Sequence, residues 1–401
     1  MFHKKVFAAA PYKTIFMGPG RKEFDPKKAM PSFESYLKET AEGTMQQVKR
    51  RSAIDEGVIG SFMSARFLNQ ANLPGFLPFM VPELKYKPCT GIEGACGTGG
   101  RAIATAIRSV LSGMADAVFV AGFEVQNVVK SVYGADILAG AGYWRGERKA
   151  GQAFFFPGIF SDRLKAYKAR FGQENIRKAL ARWYERAILN ARKDPKAQEF
   201  HNSAPDLFAL GMTEPDPAAF LPDFNLYDCS KISDGAASLI IASEEGLEEL
   251  GVEEKVEILA LGEAQEDITL PPESPTSLST TQIASHMALE KANKKIEDIS
   301  LFEVHDCFTI TGILMLEALG LAKEGEGPRL LLEGHLPPIN TSGGLIGFGH
   351  PTGASGVRQL VDLQLQLTGK AAAPVLLKTP FGMMLSMGGN DKTVTAIVVS
   401  K

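Results

Sequence analysis

The chain has 401 residues, 45% hydrophobic and 22% charged, with a formal net charge of -3. That length calls for more than one core, and the balance excludes a disordered chain and leaves no overall basic field for nucleic acid or an anionic membrane. Cys89, Cys96, Cys229 and Cys307 have no regular spacing, which excludes a disulfide framework and a CxxC metal site, so reduced thiols and a cytoplasmic address are expected. Residues 1–10 lack a long apolar run with a cleavage site, the ending Val398-Val399-Ser400-Lys401 is not Ser-Lys-Leu, and no segment reaches the roughly 18 apolar residues of a membrane span.

In chain order, the first segment with a chemical signature is Gly94-Ala95-Cys96-Gly97-Thr98-Gly99-Gly100. Small residues on both sides permit a sharp turn and leave the sulfur open to a bulky substrate. Ile103, Ala106, Ile107, Val110 and Leu111 fall on helical spacing, so the thiol stands at a helix N-terminus, which is expected to lower its pKa from about 8.5. A free cysteine is more often a small core residue, but this glycine-rich setting makes Cys96 a candidate nucleophile. The β-rich run 117–121 follows.

Residues 161–196 hold eleven Lys or Arg against four Asp or Glu, within helical stretches such as 176–191. The segment reads as an insertion whose charge is either a solvated face or a surface for a polyanionic ligand. A Pro-rich stretch, 204–221, leads back to a second β-rich run, 238–242, and the acidic, glycine-broken joint 244–254 separates residues 1–250 from 251–401. The run 256–261 then opens the second part.

Phe302-Glu303-Val304-His305-Asp306-Cys307-Phe308 ends an apolar run before the helix-like 310–319, a place where α/β folds put ligands and chemistry. Zinc is not expected there, because adjacent side chains diverge and no second ligand pair exists at zinc-finger spacing. Gly347-Phe348-Gly349-His350-Pro351-Thr352-Gly353 is a further turn before a helix, and that helix echoes the first one. Gly100 to Gly113 (GRAIATAIRSVLSG) and Gly356 to Gly369 (GVRQLVDLQLQLTG) both carry glycines 13 positions apart. Leu363, Leu365 and Leu367 alternate as in a strand, yet the echo predicts a helix. Halves related in this way bring Cys96 and His350 to two sides of one cleft. His350 is then a candidate base, against the alternative of a buried histidine that only satisfies its turn. Strands are expected at 374–378 and 394–400, with Ser386-Met387-Gly388-Gly389-Asn390 as a glycine-rich turn before the last, and the alternation of strands and helices predicts an α/β fold.

Together these four segments resemble the thiolase superfamily over essentially the whole chain, and within it the sterol-carrier-protein type thiolases. Conventional thiolases have Asn-Glu-Ala-Phe where this chain has His305-Asp306-Cys307-Phe308, and a second catalytic cysteine where it has Ser386. Ser233-Asp234-Gly235-Ala236-Ala237 is also similar to that group. The resemblance implies a thiolase fold: two pseudo-symmetric halves in layered α-β-α-β-α packing, a loop domain inserted at about 126–216, and a homodimer. It implies an acyltransferase for 3-ketoacyl-CoA thiolysis or acyl-CoA condensation with acetyl-CoA. Acyl-CoA, acetyl-CoA and coenzyme A would be its ligands, with no cofactor or metal, and the basic segment would meet coenzyme A phosphates. By resemblance Cys96 takes the acyl group, His350 activates it and joins His305 in one oxyanion hole, Cys307 moves the α-proton, and the amides of Cys96 and Gly388 form a second hole. The alternatives are a decarboxylating ketosynthase, against which Cys307 argues, and a non-catalytic acyl-CoA-binding subunit of a complex. Tyr143, Trp144 and the cluster Phe154-Phe155-Phe156 are either acyl pocket or core.

Overall fold

A computed structural model describes residues 2–148 and 153–401, so positions 149–152 of the expected loop domain lie outside the described residues. Its strands are β1 (Val6–Lys13), β2 (Glu56–Gly60), β3 (Cys89–Ile92), β4 (Ala117–Glu124), β5 (Gly235–Ala242), β6 (Lys255–Gln265), β7 (Leu301–Glu303), β8 (Phe381–Gly388) and β9 (Thr393–Ser400). They form one hydrogen-bonded sheet in the order β3-β2-β4-β5-β1-β6-β9-β8-β7. The sequence β1, β5, β4, β2 read outward from the centre repeats as β6, β9, β8, β7. The directions repeat too: antiparallel, antiparallel, then parallel. The axis of the repeat is the antiparallel pair β1–β6, where Val6 faces Ile258.

The helices that matter are α1 (Phe33–Met45), α2 (Thr98–Ser112), α3 (Phe155–Phe171), α4 (Ile176–Ala191), α5 (Ser279–Ala292), α6 (Thr309–Ala318) and α7 (Thr352–Leu367). Helices α2 and α7 pack on each other, and each also touches strands of both sheet halves. α1 covers the outside of β1, β4 and β5, and α5 the outside of β6 and β9. The layers are therefore α-β-α-β-α. Strands β4 and β5, covered on both faces, are buried at every position, which is why 117–121 and 238–242 read as unbroken apolar runs rather than alternating ones. Helices α3 and α4 belong to the excursion between β4 and β5 and pack on α6 of the second half.

The echo has a physical cause. Gly113 and Gly369 end their helices in the left-handed region, at φ +75° and +76°, the usual glycine stop. Gly100 and Gly356 mark where α2 crosses α7, so close that a Cβ on Gly356 would fall on the backbone nitrogen of Gly100. The alternating leucines lie in a helix because α7 is buried on all sides, Arg358, Gln359, Asp362 and Gln364 included, which erases its periodicity.

One expectation is corrected. The run 374–378 is a loop: Pro374 has no amide to give a ladder and Leu376 is 96% exposed. The strand that pairs with β9 is β8 instead. Part of the positive excess of 161–196 is matched in space by groups from outside the segment. Arg177 forks onto Asp228 at 2.7 Å, Lys168 and Arg170 meet Asp223 and Glu324 at 2.7 Å, and buried Arg163 donates to Asn390 and to the carbonyls of Pro275 and Ser277. These four cations serve the fold, with partners supplied from outside the segment. Among the described residues no helix is long and apolar enough to cross a membrane.

Candidate active site

Four chain segments meet where α2 and α7 begin. After β3 the chain makes a single 3-10 turn, Ala95–Gly97, into α2. Ala95 takes φ +53°, a left-handed conformation that costs about 1 kcal/mol for a residue with a Cβ. Thr98 stabilises it: its hydroxyl accepts from the Gly94 amide at 2.9 Å and donates to the Ala95 carbonyl at 2.6 Å. The turn thrusts Cys96, half-buried, into a cavity of about 440 Å³.

His350 precedes α7, and its orientation is fixed at several atoms. Its amide donates to the Ser233 hydroxyl at 2.9 Å, and its carbonyl accepts from Gln126 at 2.9 Å. Nδ1 lies 2.6 Å from Ser355 Oγ, which itself donates to the Pro351 carbonyl at 3.0 Å. Ser355 is thus an acceptor toward the ring, which places the proton on Nδ1 and leaves the lone pair on Nε2. Nε2 has no hydrogen-bond partner although it is buried.

His305 and Cys307 come from the extended segment after β7. Asn340 clips that segment, accepting from the Val304 amide at 2.8 Å and donating to its carbonyl at 3.1 Å. Extended geometry turns alternate residues to opposite sides, so His305 and Cys307 line the cavity. Asp306 turns away to accept from the Leu345 amide at 2.6 Å and Trp183 Nε1 at 3.0 Å. The Cys96 sulfur and one nitrogen of each histidine lie within 4.8 Å of one another, and the two rings meet edge to face at 5.2 Å. Cys307 Sγ is 3.8 Å from Thr311 Oγ1.

The electrostatics overturn one expectation. Burial, then the Glu124 carboxylate, push the Cys96 thiol up to about 12, outweighing the amides of Cys96 and Gly389 that favour the thiolate. The helix N-terminus does not win against desolvation here, and the resting sulfur is a neutral thiol. Burial and the nearby Arg358 charge lower His350 to about 3. Burial, His350 and Arg358 hold His305 well below the usual imidazole range, and burial raises Cys307 well above the usual thiol range. At neutral pH the site holds two neutral imidazoles and two neutral thiols.

Gly388 ends β8 packed against the Gly94 backbone, and Gly389 is the neighbour that both lines the cavity and directs its amide at the sulfur. Ser386 does not line the cavity; it is buried at the α2–α7 crossing. Of the aromatic cluster, Phe154 and Phe156 line the cavity with Phe160 and Phe220, while Phe155 is core and Trp144 is 42% exposed. Sequence reading missed Glu124, which is buried at the end of β4. Its two oxygens accept from Ser61, Phe62, Met63, Thr352 and Gly353 at 2.8–3.1 Å, tying the 61–63 loop to the start of α7. A lone carboxylate closing an otherwise apolar strand was the available signal. Ser355 and Asn340 were missed as well, and only Asn340, in a glycine-rich turn at φ +49°, carried a local cue.

Layered α/β halves that bring a cysteine elbow and two histidines to one cavity define the class of thiolase-fold proteins. Residues 262–401 match the family model described as thiolase C-terminal domain-like. An acetyl-CoA acetyltransferase of Methanocaldococcus jannaschii is 30% identical over 86% of this chain and 88% of its own length. Human sterol carrier protein 2 is 30% identical over 71% of this chain and 53% of its own. Among solved structures, the Ltp2-ChsH2(DUF35) aldolase superposes with a TM-score of 0.77, at 16% identity over 99% of this chain and 97% of that one. Human mitochondrial 3-ketoacyl-CoA thiolase gives 0.72, at 16% identity over 99% of each chain. The chain belongs to the thiolase superfamily and is a thiolase-type acyltransferase.

Proposed function

We propose that the protein transfers acyl groups through a thioester on Cys96, catalysing thiolysis of a 3-ketoacyl-CoA or the reverse condensation. The observation that carries this reading is the convergence of the Cys96 sulfur with an unpartnered nitrogen of His350 and with His305 at the wall of one apolar cavity. In thiolysis His350 Nε2 takes the Cys96 proton as the sulfur attacks the C3 carbonyl, so no free Cys96 thiolate precedes the attack. The amides of Cys96 and Gly389 hold the resulting oxyanion, with Gly389 taking the part expected of Gly388. The C2–C3 bond then breaks and its electron pair forms the acetyl-CoA enolate, whose oxygen accepts from His350, now protonated, and from His305. Cys307 gives C2 its proton and acetyl-CoA leaves. The Cys307 thiolate then takes the proton of the incoming coenzyme A thiol, whose sulfur takes the acyl group, and Cys96 departs and regains its proton from His350. Phe154, Phe156, Phe160 and Phe220 offer apolar walls for the acyl chain. Coenzyme A thioesters as sole ligands and a homodimeric assembly belong to the same reading.

Intact-protein mass after incubation with acetyl-CoA, paired with steady-state thiolysis across 3-ketoacyl-CoA chain lengths, tests it. Cys96→Ala should neither acetylate nor turn over. Cys307→Ala should acetylate and fail to turn over. Near-normal turnover in either variant overturns the assignment. The superposition on an aldolase that is a complex with ChsH2(DUF35) favours a second reading, a subunit that needs a partner protein. Thiolysis by the purified chain alone would exclude it.

A further inference from the structure

Cys96, His305 and His350 reach the cavity from three separate segments, yet their sulfur and ring nitrogens lie within 4.8 Å of one another. Both ring nitrogens of His305, which is fully buried, have no hydrogen-bond partner, and neither has Nε2 of His350. Buried nitrogens without partners ask for an occupant. One thiolate and two imidazoles are the donor set of zinc and cobalt rather than of magnesium or calcium, which prefer oxygen. The imidazole of His350 is also held as metal-binding imidazoles usually are. Its Nδ1 bonds Ser355 Oγ at 2.6 Å, so the tautomer and the aim of Nε2 are set from behind.

We propose that these three residues bind a thiophilic divalent cation, zinc or its analogue cobalt, and that the bound ion masks the nucleophile when no acyl substrate occupies the cavity. Zinc–sulfur and zinc–nitrogen bonds of about 2.3 and 2.1 Å in a tetrahedron set ligand separations of roughly 3.5 Å. The three atoms must therefore close by on the order of 1 Å, which side-chain torsions supply. Binding replaces the Cys96 S–H bond by S–Zn and releases one proton to solvent. The fourth position opens on the cavity, where a water or a substrate thiol can complete the shell. Because the ion engages the nucleophile, its base and a second imidazole together, it inhibits the enzyme and is not its cofactor. The ligand set differs from the contiguous His305-Asp306-Cys307 rejected on sequence grounds, since Asp306 faces Leu345 and Trp183.

The test reads the metal itself and stands apart from the acyl-transfer reading. Full-length reduced protein, stripped with a chelator, is titrated with cobalt(II). A thiolate-to-cobalt charge-transfer band and intense tetrahedral visible bands should saturate at one equivalent and vanish on adding zinc. Cys96→Ser should remove the charge-transfer band, and His305→Ala and His350→Ala should each weaken binding at least tenfold. Cys307→Ala should leave the spectrum unchanged. As a check that needs no variant, saturating zinc should slow iodoacetamide labelling of Cys96 in the wild-type chain at least tenfold, followed by peptide mapping. A charge-transfer band that survives in Cys96→Ser, or labelling of Cys96 that zinc does not slow, overturns the proposal.

Discussion

The two elbows that build the site begin equivalent helices of the two halves but are made in opposite ways. The Cys96 elbow is assembled from small residues and local bonds, with Thr98 bracing a left-handed Ala95, and it leads into an amphipathic helix with Arg108 in solvent. The His350 elbow is held by distant partners, Ser233, Gln126 and, through α7, Glu124. It leads into a helix buried all round that carries its own charges: Arg358 contacts Glu303 at 3.3 Å and also Asp362, and Asp362 meets Lys13 at 2.5 Å. One elbow presents a nucleophile to the cavity with little scaffolding, whereas the other fixes a base through the whole core. The lesson is that a nucleophile needs access while a general base needs an imposed tautomer, and only the first requirement is local in sequence.

The sharpest way to break this comparison is to remove the base and its positioning hydroxyl in turn. His350→Ala should lower kcat/KM about 10³-fold. Ser355→Ala, which frees the tautomer but keeps the ring, should lower it about tenfold with KM little changed. Equal losses would show that Ser355 acts on folding, which thermal unfolding of the two variants would expose. Next in size is the tie between the 61–63 loop and the start of α7. Glu124→Ala strands five donors, and urea unfolding should show a loss of about 3 kcal/mol. A loss below about 1 kcal/mol would mean that the 61–63 loop and the start of α7 are held together by packing alone.

The echoed glycines sharpen the comparison further. At the crossing, Gly356→Ala drives a Cβ into the Gly100 nitrogen and the Ser386 side chain, and overpacking of this kind should cost about 2 kcal/mol. Gly113→Ala meets nothing within 4 Å but sits at φ +75°, so it should cost only about 1 kcal/mol. If the order were reversed, the close approach of α2 and α7 would not be what the repeated spacing records.

Much of this was legible. The Cys96 turn, the helix after it and the buried strands β4 and β5 announce themselves through glycine, spacing and continuous apolar runs. β8 was misplaced because its Phe-Gly-Met-Met-Leu-Ser-Met-Gly sequence has weak β-propensity, and its pairing with β9 is a tertiary fact. The pairing of Lys168, Arg170 and Arg177 was not legible because their partners Asp223, Glu324 and Asp228 lie outside the segment in sequence. The Cys96 pKa was misjudged because the turn and helix are visible in sequence, but the depth of burial and the Glu124 carboxylate are not.

The smallest expected effect is a flat line. Had the cysteine elbow worked by a lowered thiol and the histidine elbow by an ordinary imidazole, the rate of Cys96 acylation would fall with a midpoint near the unperturbed imidazole value of about 6.5. The structure places His350 at about 3, through burial and the charge of Arg358, and Cys96 at about 12. A base whose pKa is lowered stays unprotonated as pH falls through 6.5, and a thiol whose pKa is raised stays protonated as pH rises through 8.5. The competent pair, S–H beside a free Nε2, is therefore the dominant form across the whole interval between these two values. Because the two groups share one proton, any limbs observed belong to the pair rather than to either residue. Acylation by acetyl-CoA, measured as kcat/KM under single-turnover conditions, should vary less than about twofold from pH 6 to 9. Arg358→Met removes the charge that helps hold His350 down, so its acid limb should move upward toward 6.5 while the alkaline side stays flat. A wild-type acid limb centred near 6.5 would show instead that the second elbow is not dry enough to hold its imidazole neutral.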